Sequence, residues 1–217
     1  MTICHKIWVG ENMPTQTFFH LPKEKQDTVI KAALKEFTKV SFENASINQI
    51  IKEASISRGS FYMYFQDKED LYFYLLEQFR MHFKENLLSI LAEEHGDLFR
   101  TFERLFEQIV EYCLNKNRKS FFTRVFTDIN SRSEKRLFPT KSKVQEMESE
   151  HEQFLSQIDT KKLNVETRDD LEEMVGLLFG MTMHTLVHSF VREDTKEEMI
   201  SSYQRKLELL KNGMMKR

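Results

Sequence analysis

No proline interrupts the chain between Pro22 and Pro139. The residue that removes a backbone donor and breaks helices is therefore absent from the whole of residues 23–138. The same tract is rich in Leu, Glu, Lys and Phe, and the chain has only 6 Gly among 217 residues. A sheet protein of this length needs many turns marked by glycine or proline, whereas long helices do not. The expected class is all-α. Nineteen phenylalanines, about one residue in eleven, point to a bulky aromatic interior.

Within that tract, residues 46–71 read Ser-Ile-Asn-Gln-Ile-Ile-Lys-Glu-Ala-Ser-Ile-Ser-Arg-Gly-Ser-Phe-Tyr-Met-Tyr-Phe-Gln-Asp-Lys-Glu-Asp-Leu. Ser46 suits the N-cap of a short helix whose buried face is Ile47, Ile50, Ile51 and Ala54. Ile56 fills a tight turn, and Ser57 caps a second helix with Phe61 and Phe65 facing inward. Arg58, Gly59, Ser60, Tyr62, Met63 and Tyr64 are left facing outward or partly outward. Such a helix, held by another one turn upstream, has the geometry that enters a DNA major groove. The spacing alone suits an ordinary helical hairpin with surface aromatics equally well.

Residues 56–71, from Ile56 to Leu71, resemble the DNA-binding signature of the tetracycline-repressor (TetR) family of bacterial regulators. Upstream, Ile30-Lys31-Ala32-Ala33-Leu34-Lys35-Glu36-Phe37 resembles that family's first helix, so the resemblance covers about residues 23–75. It implies an all-helical homodimer that binds double-stranded DNA at a near-palindromic operator and responds to a small-molecule effector. A helix-turn-helix domain is expected over 23–66, and a larger helical bundle for effector binding and dimerisation over 67–217. Carried over position by position, Arg58 would bond guanine bidentately and Asn48 would reach an adenine edge. Gly59 would let the backbone approach DNA, and Ser60 would donate to a base or phosphate. Tyr62, Met63 and Tyr64 would touch thymine methyls, sugars or phosphates, with core packing the competing role for one of the two tyrosines. Ser46 and Lys68 would grip phosphate. One departure stands out: the turn glycine usual in the family is Ser55 here, a modest strain if φ there is positive.

Charge argues the other way. The chain carries a net −2, and residues 1–75 hold nine Lys/Arg against nine Asp/Glu. A DNA-binding surface must then be locally basic, at Arg58, Lys68, Lys52, Lys23 and Lys25, with the dimer doubling it. No run reaches the roughly 18–20 apolar residues that span a bilayer, because Glu172, Glu173, His184 and His188 interrupt residues 171–191. No secretory signal is evident, and Cys4 and Cys113 suggest neither a disulfide framework nor a metal site. A cytoplasmic protein without membrane partner or cofactor is expected. Residues 1–22 are expected to form a flexible arm, with Met13 as a candidate natural start and Phe18, Phe19 and Leu21 packing on the small domain.

Beyond Asp67, one helix is expected to run to about residue 91, with Leu71, Leu75, Phe79, Phe83, Leu87 and Leu91 as its stripe. Over residues 97–115, Arg100, Glu103, Arg104, Glu107 and Glu111 should form a solvated face. Residues 169–191 look apolar all round, the mark of a helix buried on every side, and Gly176 and Gly180 leave a smooth strip for another backbone. The resemblance places the dimer interface on the last two helices, with Gly176, Gly180, Tyr203, Leu207 and Leu210 as candidates; packing within one subunit is the competing role. Phe102, Phe106, Phe122, Phe126, Phe179 and Met183 are candidate effector contacts, suited to an apolar or amphipathic molecule. His184 and His188 share a helix face, but no further ligand joins them at matching spacing, so a core or pocket role is expected. No phosphate loop or nucleophile motif appears, and no enzymatic activity is expected. The reading is a DNA-binding regulator, a repressor released by its effector. A DNA-bound scaffold that recruits a protein is one alternative; a helical-bundle enzyme or carrier is another.

Overall fold

A computed structural model describes residues 14–116, 118–127 and 148–213. Every regular element among them is helical. They fall into two compact units, 14–81 and 82–127 with 148–213. The division lies inside one helix rather than at the expected boundary near residue 66.

The smaller unit contains α1 (Gln16–Phe19), α2 (Lys23–Lys39), α3 (Ile47–Glu53), α4 (Arg58–Tyr64) and the first half of α5 (Lys68–Glu93). Val29, Ala32, Ala33 and Phe37 of α2 are buried together with Ile50, Phe61, Phe65 and Leu71. Residues 14–22, expected as part of an arm, are folded onto this core. Phe18 is fully buried, and its ring meets those of Phe65 at 4.8 Å and Tyr74 at 5.5 Å. An apolar segment that finds such a partner gains the burial energy of a large ring, about 1.5–3 kcal/mol. Residues 1–13 lie outside the described residues.

The larger unit contains the second half of α5, then α6 (Leu98–Leu114), α7 (Lys119–Thr127), α8 (Glu148–Ser156), a 3₁₀ turn (Thr160–Lys162), α9 (Arg168–Val191) and α10 (Lys196–Asn212). The α5 stripe from Leu71 to Leu91 is buried as expected. Capping boxes start the last two helices: Thr167 with Asp170 at α9, and Thr195 with Glu198 at α10. The charged face of α6 is not simply solvated. Arg100 and Arg104 both bind Glu94, Gln204 donates to Glu103, and Lys196 pairs with Glu111. Residues 131–143, whose basic residues and Pro139 read in the sequence as a connection, lie outside the described residues.

Three helices end in the same way. Ser55, His95 and Glu193 each have positive φ, at 52°, 53° and 58°. Around Ser55, the Ile56 N–H bonds the Ile51 carbonyl at 3.0 Å and the Ser55 N–H bonds that of Lys52 at 3.3 Å. That is the Schellman pattern, which favours glycine at the left-handed residue. The strain expected at Ser55 is therefore present.

The expectation for α9 needs correction. Its inward face packs on α6, α7 and α10, but Leu177 is 64% exposed and Val191 55%. A Cβ built on Gly176 or Gly180 would meet nothing within 4 Å. Length and composition alone would let this helix cross a bilayer. Its buried face nevertheless carries the polar Thr182, Thr185 and Ser189 beside Leu178, Leu186 and Phe190, which marks it as a core helix with one open face.

Candidate nucleic-acid interface

The turn at Ser55 sets α4 against α3, and each contributes an exposed face. Asn48, Arg58, Gly59, Tyr62 and Met63 are exposed together. Tyr62 and Met63, at 44% and 58% exposed, are two of the large side chains that a folded core would ordinarily cover. Ser57 caps α4: its Oγ accepts from the Ser60 N–H at 3.0 Å and lies 2.8 Å from the Ser60 hydroxyl. A Cβ on Gly59 would touch only the Ser57 Oγ, at 3.8 Å, so nothing within the chain requires glycine there.

The polar groups of this face are joined. Arg58 Nη1 donates to Asn48 Oδ1 at 2.8 Å, and Nη2 donates to the Tyr62 hydroxyl at 3.3 Å, with the guanidinium 5.6 Å from the Tyr62 ring centre. One long cation is thus held above the surface by a neighbour from each helix. Arg58 forms no ion pair among the described residues.

Other expected contacts sit differently. Tyr64 is half-buried, with its ring 6.0 Å from Phe18, so it is the tyrosine that serves the core. Ser46 occupies the N-cap position of α3, but its side chain caps nothing; its N–H donates to Glu36 Oε1 at 2.9 Å. Lys68, expected at phosphate, is half-buried. Its ammonium donates to the carbonyls of Glu43 at 2.6 Å and Ala45 at 3.0 Å, and lies 5.1 Å from the Phe42 ring centre. These contacts tie the loop before α3 to the start of α5. The reason is local: two carbonyls with no helical partner lie within reach of the cation.

One positioning residue escaped the sequence reading. Thr15 donates from its hydroxyl to the Met63 carbonyl at 2.5 Å and from its N–H to that of Tyr64 at 3.0 Å. It satisfies carbonyls left open at the C-terminal end of α4. A threonine in a segment without helical periodicity gave no signal for this.

In the larger unit, the candidate effector residues separate into two packed groups. Phe106 stacks on Tyr203, with centroids 4.0 Å apart, and Phe102 meets Phe179 edge-on at 4.8 Å. Phe122 stacks on Phe126, which meets Phe190 at 5.1 Å. Phe102, Phe106, Phe122 and Phe126 are buried, Met183 is half-buried and Phe179 is 40% exposed. A groove of about 280 Å³ lies elsewhere, lined by Phe99, Val165, Met174, Leu177 and Leu210 among others. Two candidates for the dimer interface also belong to the interior. Tyr203 is 1% exposed, its hydroxyl lies 2.7 Å from that of Thr182, and burial pushes its phenol well above the usual range; Leu207 is buried beside it. Periodicity marks an apolar face without saying which neighbour covers it. Gly176 and Gly180 remain open, and Leu210 lines the groove.

The chain is similar to known proteins in both units. The profile described as "Bacterial regulatory proteins, tetR family" matches residues 29–75. The profile described as "Tetracyclin repressor-like, C-terminal domain" matches residues 97–214, more than half of the chain. YuxN of Bacillus subtilis, an uncharacterized HTH-type transcriptional regulator, is 36% identical over 96 residues, which are 42% of this chain and 32% of YuxN. The chain thus spans about a third of the length of the curated relatives it matches. Among solved structures, a putative TetR-family regulator from Syntrophomonas wolfei superposes with a TM-score of 0.63 at 23% identity, over 89% of this chain and 97% of that one. FadR from Bacillus subtilis, solved with stearoyl-CoA, gives a TM-score of 0.63 at 17% identity, over 87% and 99%. Both likenesses concern the fold.

Proposed function

Because the chain belongs to the tetracycline-repressor (TetR) family of bacterial transcriptional regulators, we propose that it is a sequence-specific DNA-binding repressor acting as a cytoplasmic homodimer. The observation that carries this reading is the exposed Asn48–Arg58–Tyr62 cluster beside Gly59 and Met63. Arg58 reads guanine, Asn48 an adjoining base edge, and Tyr62 and Met63 thymine methyls or the backbone. Lys68 contributes through the loop that it fastens. With balanced charge in this part of the chain, non-specific affinity is modest and falls steeply with salt. Selection of bound fragments from genomic DNA tests the reading: enrichment of a two-fold symmetric sequence is expected, and retention of random fragments alone would refute it.

The effector is an apolar or amphipathic small molecule that enters the larger unit among Phe102, Phe106, Phe122, Phe126, Phe179 and Met183. Support comes from the density of rings there and, by analogy of fold only, from the acyl-CoA held by FadR. Since these rings already touch one another, entry must part them, and the effector shifts the population toward a form that fits the operator poorly. The same close packing favours a second reading, a DNA-bound scaffold that recruits a protein and takes no ligand. Thermal-shift screening with fatty acids, acyl-CoA thioesters and hydrophobic cations separates the two. Stabilisation coupled to operator release supports the repressor, and its absence across those classes supports the scaffold.

A further inference from the structure

The open face of α9 carries two imidazoles that the DNA-binding reading does not use. His184 and His188 lie one turn apart, both exposed, with ring centroids 4.5 Å from each other and planes 39° apart. This corrects the core or pocket role expected for them. Among the described residues no carboxylate or thiol joins them, so the pair offers two nitrogen donors there. Arg192, one turn further on, pairs with Asp194 at 3.4 Å, which offsets the nearest cationic charge on this helix. Two histidines at this helical spacing can share one metal ion. A stable site for zinc needs four ligands in tetrahedral array.

The face around the pair suggests where the other two come from. Gly176 and Gly180 precede His184 on the same ridge and present bare backbone, while Leu177 and Val191 flank the ridge exposed. A second copy of this chain is the occupant that suits an apolar, backbone-smooth strip on a protein read as a homodimer. The site requires the two-fold axis to pass beside His184 and His188, where each histidine pair meets its counterpart. We propose that His184 and His188 form half of a site for a late first-row divalent ion, zinc being the best match, completed by the same pair of the second copy. The inference rests on the homodimer reading. Bound there, the ion fastens two subunits through the helix that also lines the aromatic interior.

The test strips the full-length protein with EDTA, dialyses it against zinc, and measures retained metal, with sedimentation velocity in EDTA and in zinc alongside. One zinc per two chains is expected, lost in both His184→Gln and His188→Gln, which replace exposed side chains. Retention of one zinc per chain, no retention, or retention unchanged in both variants overturns the proposal. A dimer in EDTA that fails to hold zinc leaves the homodimer reading intact. A monomer with and without zinc removes both.

Discussion

Arg58 is bonded to Asn48 and Tyr62 before any base pair reaches it. On the proposed reading, DNA binding exchanges hydrogen bonds rather than simply adding them, and the partners released by Arg58 become free to read neighbouring positions. Arg58→Ala is expected to cost roughly 1–3 kcal/mol of operator affinity and to relax preference at one base pair. Because Asn48 orients the guanidinium, Asn48→Ala and Arg58→Ala should not be additive, with a coupling of at least about 0.5 kcal/mol in fluorescence-anisotropy titrations. Strict additivity would show that the two residues read DNA independently. Lys68 belongs to a different class. Losing its bonds to Glu43 and Ala45 should destabilise the small unit by about 1.5–3 kcal/mol and weaken all DNA sequences alike, whereas a phosphate contact alone would leave urea unfolding of the free protein unchanged. Tyr74 supplies a spectroscopic check on the small core. Burial, aided by the Asp27 charge, pushes its phenol up to about 12. Its ionised form is disfavoured in the folded state, so the stability it contributes is complete below pH ~10 and lost as pH rises through ~12. Ultraviolet titration should show several tyrosines ionising late, Tyr203 latest of all, and Tyr74→Phe should remove the step near 12.

At the scale of elements, helix ends are where this glycine-poor chain is strained. Ser55, His95 and Glu193 hold left-handed conformations that glycine adopts without steric cost. Ser55→Gly and Glu193→Gly should each stabilise by about 0.5–1 kcal/mol in chemical denaturation. Gly96 is the opposite case. Its φ is +81°, and a Cβ there would lie 2.7 Å from the Asp159 nitrogen and the Gln157 carbonyl oxygen. Gly96→Ala should cost about 2 kcal/mol or more, since backbone on both sides must shift. Phe18→Ala should cost roughly 3–5 kcal/mol, the usual loss for a fully buried ring. The same elements show what a sequence discloses. The α5 stripe was legible because burial repeats at the helical period over many turns, and α4 because Ser57, Phe61 and Phe65 fix its phase. The contact from Thr15 to the end of α4 was not, because it joins a side chain to a backbone carbonyl 48 residues away, and carbonyls carry no sequence signal. Tyr203 and Leu207 were placed between subunits by the family resemblance, and spacing could not correct it, since it identifies an apolar side but not its cover. The open face of α9 was legible only in part: Gly176 and Gly180 marked a strip for another backbone, but the Leu, Met and Phe around them read as burial on every side.

For the whole molecule, the two-fold reading sets a distance. Half-sites should be centred about 34–36 Å apart or at a multiple of that, and a footprint with a single half-site would contradict a symmetric pair of readers. Leu177→Glu places charge on the open face of α9 and should lower self-association in sedimentation experiments while leaving the subunit folded, because this side chain is already 64% exposed. The unit division falls within α5, between Met81 and His82, so a single continuous helix contributes its N-terminal half to the smaller unit and the rest to the larger. Thr15 closes the far end of the recognition helix from a position just two residues after Met13. A purification handle or reporter joined directly ahead of Pro14 would crowd the contact that fixes the end of α4, and on the proposed reading protein prepared that way would report weakened operator affinity as though it were native. Handles belong after Gly213, in the other unit.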